Sequence, residues 1–246
     1  MFKNGLKYNR VGFTLAEVLI TLGIIGVVAS LTIPTLMQNS TEKATVVALK
    51  KTYSVLSQAY KLAELDNGSP DQWDVVAGDH MLSPLLPYLK VTKNCLDGSK
   101  GCWPPGVDYK YMTAAWGGLG VYDDAAGPKL MLADGTLIYG LSYTSDCSTP
   151  VGDTLSLQNA CGIYYVDVNG FKRPNQWGID TFLFYLTKYG IVPAGTPADT
   201  QFKFLSDCKN KDGGNGMPCA AWLIYNNNMD YLHCNDLGWG IKLKCD

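Results

Sequence analysis

The hydrophobic residues of this chain are most concentrated in one uninterrupted stretch near its beginning. Residues 13–37 form a run of 25 residues in which Glu17 is the only ionisable side chain. A helix of that length rises about 37 Å at ~1.5 Å per residue, and the hydrocarbon core of a bilayer is about 30 Å thick. The pattern therefore predicts a helix that spans a membrane.

A different pattern follows this apolar run. Apolar or aromatic side chains recur every three or four positions at residues 46, 49, 53, 56, 60 and 63, which is the stripe of an amphipathic helix. The turn-forming residues 66–68, Asp-Asn-Gly, then end the pattern. We expect one long helix, with a transmembrane half over residues 13–37 and an amphipathic half over residues 38–66. Pro34 is expected to kink it.

Beyond residue 67 the alternation of side chains favours strands. Residues 129–133 and 136–139 predict a hairpin, because the Asp134-Gly135 pair between them tolerates the positive φ of a tight turn. Two further strands are expected over residues 163–168 and 181–187. In the last of these, Phe182, Phe184 and Leu186 fall on one face.

The other segments of the globular part give weaker signals. We expect a short helix with proline interruptions over residues 79–89, a Pro- and Gly-rich link over residues 192–197, and a short helix or strand over residues 219–225. The fold class is therefore α+β, with the long N-terminal helix packed on an antiparallel β-sheet. Residues 67–246 form one globular domain in this interpretation.

The charges before the apolar run predict its orientation. Residues 1–12 carry Lys3, Lys7 and Arg10 and no acid. The positive-inside rule places this end in the cytoplasm, so the globular domain is extracytoplasmic. An ordinary secretory signal peptide is the alternative, but the run exceeds the usual ~7–15 residues and no Ala-x-Ala site follows it.

Residues 12–17 read Gly-Phe-Thr-Leu-Ala-Glu. With the short basic leader before them and Pro34 in the helix that follows, they resemble the class III signal of type IV pilins and type II secretion pseudopilins. The resemblance implies that a prepilin peptidase cuts after Gly12 and methylates the new amino terminus at Phe13. It also implies a pilin-like fold and a structural subunit, not an enzyme, that assembles from the inner membrane with other pilin or pseudopilin subunits.

Glu17 has a physical role in such an assembly. An acid inside a bilayer costs about 2.5–3.5 kcal/mol on insertion scales. A carboxylate four residues past a new α-amino group can pair with the amine of a neighbouring subunit, and charges ~4 Å apart at an effective dielectric of ~20 attract by about 4 kcal/mol. Glu17 is therefore a predicted assembly residue, and the resemblance adds Pro34 as a second. The alternative is a glutamate solvated near the headgroups.

The cysteines indicate disulfides. All eight lie beyond the apolar run, in a domain expected to face an oxidising compartment. They are Cys95, Cys102, Cys147, Cys161, Cys208, Cys219, Cys234 and Cys245. Zinc is the competing use, but there is no Cys-x-x-Cys pair and only His80 and His233 are available. Sequence cannot choose among the 105 connectivities, and pairing of sequential neighbours is our default.

One loop between the predicted strands contains candidate metal ligands. Asp167, Asn169, Asn175 and Asp180 supply four oxygen-bearing side chains around glycine turns, a chemistry that suits calcium. The spacing is not that of an EF-hand. The alternative is a structural loop in which Asn169-Gly170 makes a turn and the aspartates accept hydrogen bonds from backbone amides.

Charge and motifs give no support for nucleic-acid binding or for the common classes of hydrolase and nucleotide-binding enzyme. Beyond the leader the chain has 17 basic and 22 acidic residues, a formal net charge of −5, and no basic run interleaved with aromatics that would predict nucleic-acid binding. Motifs for serine hydrolases, zinc proteases and phosphate-binding loops are missing from the sequence. The alternative function is a membrane-tethered binding module, adhesin or lectin-like, that does not polymerise.

Overall fold

The computed structural model describes residues 12, 14–73, 81–113, 127–209 and 213–246. The chain divides into two compact units, Met1–Thr41 and Glu42–Asp246, and the boundary falls within the first helix. This helix, α1, runs over Leu15–Asn67 and contains Pro34. It agrees with the predicted long helix to within two residues at each end.

The second unit contains a six-stranded antiparallel sheet in which every strand pairs with the next strand in the chain. The strands are β1 (Val91–Cys95), β2 (Lys129–Leu132), β3 (Leu137–Ser142), β4 (Ala160–Asp167), β5 (Thr181–Thr187) and β6 (Gly190–Pro193). A short helix, α2, follows at Ala220–Asn226. The predicted α+β, disulfide-rich fold with one long N-terminal helix is therefore confirmed at this level.

Both faces of the sheet are covered, which explains why every residue of β4 and β5 is buried. On one face, the buried stripe of α1 packs against the sheet, and the ring of Tyr53 stacks on Phe184 with centroids 5.9 Å apart. On the other face, a second core contains Tyr165 and Trp177, whose rings meet edge to face at 4.9 Å. Alternate residues of one strand therefore belong to two different cores.

Two strands were not predicted, and both are at the edges of the sheet. In β1 the three central residues are exposed and polar, so the strand carries no apolar signal. Strand β6 lies at the start of the segment predicted as a Pro- and Gly-rich link, and it ends at Pro193, which has no amide hydrogen to donate. Edge strands are often short and interrupted in this way, because exposed pairing groups invite unwanted association.

Strand boundaries also differ from the prediction. Strand β4 begins at Ala160, three residues before the predicted start, and it includes Gly162. An added Cβ at Gly162 would lie 2.4 Å from the carbonyl oxygen of Leu141 on β3, so only glycine permits this close pairing. In the region predicted as a short interrupted helix, Ser83–Tyr88 is a 3₁₀ helix, whereas residues 74–80 lie outside the described residues.

All eight cysteines form disulfides between sequential neighbours, which confirms the default pairing. The bonds are Cys95–Cys102, Cys147–Cys161, Cys208–Cys219 and Cys234–Cys245. The zinc alternative is therefore wrong, because every thiol that it needs is oxidised.

Candidate functional site

The start of α1 is organised by Thr14 and Glu17. The backbone amide and the hydroxyl of Thr14 each donate to Glu17 Oε2 at 2.8 Å, and the amide of Glu17 donates to Thr14 Oγ1 at 3.2 Å. This reciprocal pattern is a capping box, which satisfies amides that have no partner within the helix. The Thr-x-x-Glu spacing before an apolar run is its sequence signature, so Thr14 could have been found from sequence.

The predicted processing site adjoins this cap. Gly12 is described and exposed, whereas Phe13 lies outside the described residues. Cleavage and methylation at these two residues stay predictions.

The apolar half of α1 presents its side chains outward. The most apolar 18-residue window has a mean hydropathy of 2.2 and no buried residue, and by length and composition this helix can cross a membrane. Three of its hydroxyls are satisfied within the helix itself, since Thr21 Oγ1, Ser30 Oγ and Thr32 Oγ1 donate to carbonyl oxygens one turn earlier at 2.8–2.9 Å. Such internal bonds allow a helix to carry Ser and Thr through lipid.

The four candidate calcium ligands do lie in one loop network between β4 and β5. Asp167 Oδ1 accepts hydrogen bonds from the amides of Asn169 at 3.0 Å and Gly170 at 2.8 Å. Its Oδ2 accepts the hydroxyl of Tyr109 at 2.5 Å. Gly170 has φ +69°, the left-handed conformation that glycine adopts without strain. Asp167 therefore fixes the turn that follows β4.

Asp180 closes the same loop from its other end. Its Oδ2 accepts the amide of Asn175 at 2.8 Å and the side-chain amide of Asn169 at 3.0 Å, and its Oδ1 accepts the amide of Gln176 at 2.7 Å. Burial raises the pKa of both aspartates, and the negative charge of Asp180 raises the pKa of Asp167 further. The carboxyl groups thus lie in a site that disfavours two negative charges.

This network fits a structural loop better than a calcium site. Each of the four carboxylate oxygens already accepts a hydrogen bond, so few lone pairs are left for a cation. The side-chain oxygens of Asn169 and Asn175 are buried without a partner, but two amide oxygens do not complete a ligand set of six to eight. Within the described residues, no group of three or more His, Cys, Asp or Glu is placed to hold a metal.

We expect the melting temperature of the oxidised protein to be unchanged by chelator and by millimolar calcium. A site filled at a hundred times its Kd would stabilise the fold by about 2.7 kcal/mol, which is a shift of several degrees. The measurement is thermal unfolding followed by circular dichroism, with Asp180→Asn as the comparison. A calcium-dependent rise in the wild type that disappears in Asp180→Asn would instead establish the metal site.

One of the two histidines has a defined partner. His233 Nε2 lies 2.9 Å from a carboxylate oxygen of Glu42, and this contact connects the Cys234–Cys245 region to α1. His80 lies outside the described residues. The absence of catalysis stays a prediction.

A family of unknown function, DUF6613, matches residues 35–83, about a fifth of the chain. The matched segment covers the amphipathic part of α1 and the residues that follow it. Neither the curated proteins nor the solved structures contain a match to this chain.

Proposed function

We propose that this protein is a prepilin, a structural subunit of a type IV pilus or a type II secretion pseudopilus. The observation that carries the proposal is Glu17, a carboxylate five residues after Gly12 and near the start of a 53-residue helix whose apolar half is exposed. A simple membrane anchor has no use for an acid at this depth, where its burial is unfavourable. In an assembling subunit the acid has a role, because it can pair with the amine of a neighbouring subunit.

The apolar half of α1 supports assembly within the membrane. At Gly23 and Gly26 an added Cβ would meet nothing within 4 Å, so the backbone is accessible at both positions. Small residues of this kind let neighbouring helices approach closely in lipid. The exposed apolar side chains around these glycines supply a surface on which other subunits pack once the subunits have left the bilayer.

Three large apolar side chains on the amphipathic half of α1 remain exposed. Its buried stripe, which includes Leu49 and Leu56, packs on the sheet. Val47, Leu62 and Leu65 are 67%, 47% and 80% exposed. At ~3.6 residues per turn these three lie within about 60° of one another. The same side of the helix also carries the exposed Lys51, Ser54, Gln58 and Lys61. This side remains available for helix bundling in a filament core.

The proposed location follows from these features together. The basic leader stays in the cytoplasm, the apolar half of α1 crosses the inner membrane, and the globular unit lies outside, where its four disulfides are stable. After cleavage by the prepilin peptidase, the subunit joins other pilin or pseudopilin subunits in a filament at the cell surface or in the periplasm.

The test is the intact mass of the chain co-expressed with a prepilin peptidase, measured before and after reduction. We expect the mass of residues 13–246 plus one methyl group, lower by eight hydrogens until the four disulfides are reduced. Tandem mass spectrometry should place the methyl group on the α-amine of Phe13.

Gly12→Val is the matched control, because it changes the residue before the cut and leaves the mature sequence intact. We expect this variant to keep its full length in the same cells. If the wild-type chain also stays uncut while a known prepilin is processed beside it, the proposal is wrong and the tethered binding module replaces it.

A further inference from the structure

Four aromatic rings form a continuous ladder in the C-terminal part of the second unit. Phe204 stacks on Trp222 with centroids 4.2 Å apart and planes inclined by 7°. Trp222 meets Trp239 at 5.0 Å, and Trp239 meets Tyr225 at 6.3 Å. The ladder runs from the buried Trp222 to Tyr225, which is 58% exposed. It therefore presents a supported aromatic surface to solvent.

Two cavities are lined by the outer rings of this ladder. The larger has a volume of about 620 Å³ and is lined by Tyr225, Asn226 and the side chains of Ile241, Leu243 and Lys244 among others. The smaller, about 290 Å³, is lined by Trp239, Thr196, Thr200, Lys203 and Ser206 among others. Both are open depressions of the protein surface and not enclosed pockets. We call the surface formed by Tyr225, Trp239 and the two cavities beside them the aromatic ridge.

The walls of the larger cavity are held in place. The Cys234–Cys245 disulfide closes the segment that contributes Ile241 to Lys244, and the amide of Cys245 donates to Asp230 Oδ2 at 2.7 Å. The side-chain amide of Asn228 donates to the carbonyl oxygen of Leu243 at 2.9 Å. A ligand would meet a preformed surface here, which lowers the entropy lost on binding.

The polar groups of the aromatic ridge are incompletely paired. Thr196 Oγ1 in the smaller cavity and Asn226 Nδ2 in the larger are buried without a hydrogen-bond partner. Neither atom is accessible to solvent, so the polar side chains that a ligand could reach are the exposed Thr200 and Ser206. With the hydroxyls of Thr200 and Ser206, the cavities combine aromatic faces with donors and acceptors.

Each cavity of the aromatic ridge is lined by one lysine that has no acidic partner among the described residues. Lys203 and Lys244 are exposed, and neither makes an ion pair within the part of the chain that the structure describes. The acids nearby are already engaged. Asp236 and Asp246 both bind Lys242, and the buried Asp199 accepts three backbone amides and the Tyr185 hydroxyl. One unpaired ammonium group thus remains in each cavity of an otherwise acidic protein.

We infer that the aromatic ridge binds an acidic oligosaccharide. The apolar C–H faces of sugar rings stack on exposed aromatic rings, and sugar hydroxyls match the hydroxyl and amide groups beside them. Carboxylates on the sugar would pair with Lys203 and Lys244, one in each cavity. Tyr225 lines one cavity, Trp239 lines the other, and the two rings are in contact. A pair of neighbouring cavities suits a chain of several sugar units better than a single small molecule.

The test is a calorimetric titration of the full-length chain in detergent micelles with two probes of equal length. One is the hexamer of galacturonic acid, and the other is maltohexaose, which is neutral. We expect the acidic hexamer to bind at least about tenfold more tightly, with an affinity that falls as salt is added. Dispersed subunits are used, so the result is independent of filament assembly and of the proposed function.

Two variants and two matched controls locate the site. Tyr225→Leu and Lys203→Gln should each weaken binding of the acidic hexamer by about tenfold. Tyr189→Leu removes a tyrosine that is 45% exposed in the turn between β5 and β6, and Lys172→Gln removes an exposed lysine in the loop between β4 and β5; both should bind as the wild type does. Melting temperatures of all four verify that the variants are folded.

Three outcomes would overturn the inference. They are no binding of the acidic hexamer at millimolar concentration, equal affinity for the neutral hexamer, and equal losses in the variants and their controls. A hexamer of thymidylate bound as tightly as the acidic sugar would also reject a saccharide site, because it would indicate a general polyanion surface.

Discussion

Glu17→Ala is expected to abolish filaments while leaving cleavage after Gly12 largely intact. The carboxylate is unfavourable in the bilayer by about 2.5–3.5 kcal/mol, so its removal should not impair insertion. What is lost is its attraction for the amine of a neighbouring subunit, about 4 kcal/mol at ~4 Å and an effective dielectric of ~20. The measurement is electron microscopy of sheared filaments, with immunoblots of whole cells to verify processing.

The capping box at Thr14 makes the choice of control important, because Ala removes both the charge and the helix cap. Glu17→Gln is the matched variant. A glutamine at this position can still accept from the Thr14 amide and hydroxyl, so it keeps the cap but has no charge to pair with an amine. We expect Glu17→Gln to lose filaments as Glu17→Ala does. Normal filaments from the Gln variant would show that the cap matters and the charge does not.

The elements that could be predicted from the sequence are those in which local pattern and tertiary packing agree. The helix α1 carries two strong signals in succession, an apolar run and a stripe, and both are helical. The strand β5 was predicted with its bounds, because Phe182, Phe184 and Leu186 alternate with smaller or polar-tipped neighbours. The Asp134-Gly135 turn was predicted for a local reason as well, and Gly135 has φ +90°.

The parts that could not be predicted depend on contacts distant in sequence. The second core on the outer face of the sheet is one example, because Trp103, Tyr109 and Trp177 come from loops whose local sequence shows no period. Lys129 is another, since a lysine at the start of β2 gives no sign that it is fully buried. Burial of such residues is decided by which chain segments cover the sheet, and a local window contains no information on that.

The candidate site was predictable to a different extent in its two regions. The acid in the apolar run stands out from composition alone, and its distance from Gly12 is visible in the sequence. In the loop between β4 and β5, by contrast, the same four side chains suit a metal site or a hydrogen-bonded turn. Only the positions of Tyr109 and the backbone amides distinguish the two, and these are properties of the folded loop.

Removing the Cys208–Cys219 disulfide is expected to cost more stability than removing the Cys234–Cys245 disulfide. Both cysteines are fully buried, and they join the segment that carries Phe204 to the helix that carries Trp222, whose rings stack at 4.2 Å. Opening the loop, whose sequence separation is 11, costs about 3 kcal/mol in the chain-entropy account. The paired variant Cys208→Ala with Cys219→Ala also leaves a cavity beside the aromatic ladder, at a further cost of about 1–2 kcal/mol.

The chain contains a matched control for this prediction, because Cys234–Cys245 has the same sequence separation of 11 but both of its cysteines are partly exposed. In the chain-entropy account the two disulfides contribute equally to the free energy of unfolding, because their loops are equally long. Packing adds to the contribution of the buried disulfide only. Thermal and denaturant unfolding of the two double-alanine variants therefore separates the two contributions. We expect the Cys208/Cys219 variant to melt several degrees below the Cys234/Cys245 variant, since ~1 kcal/mol corresponds to roughly 2–4 °C in a chain of this size. Equal melting temperatures would mean that loop closure alone accounts for the effect and that the aromatic ladder is held without the help of the disulfide.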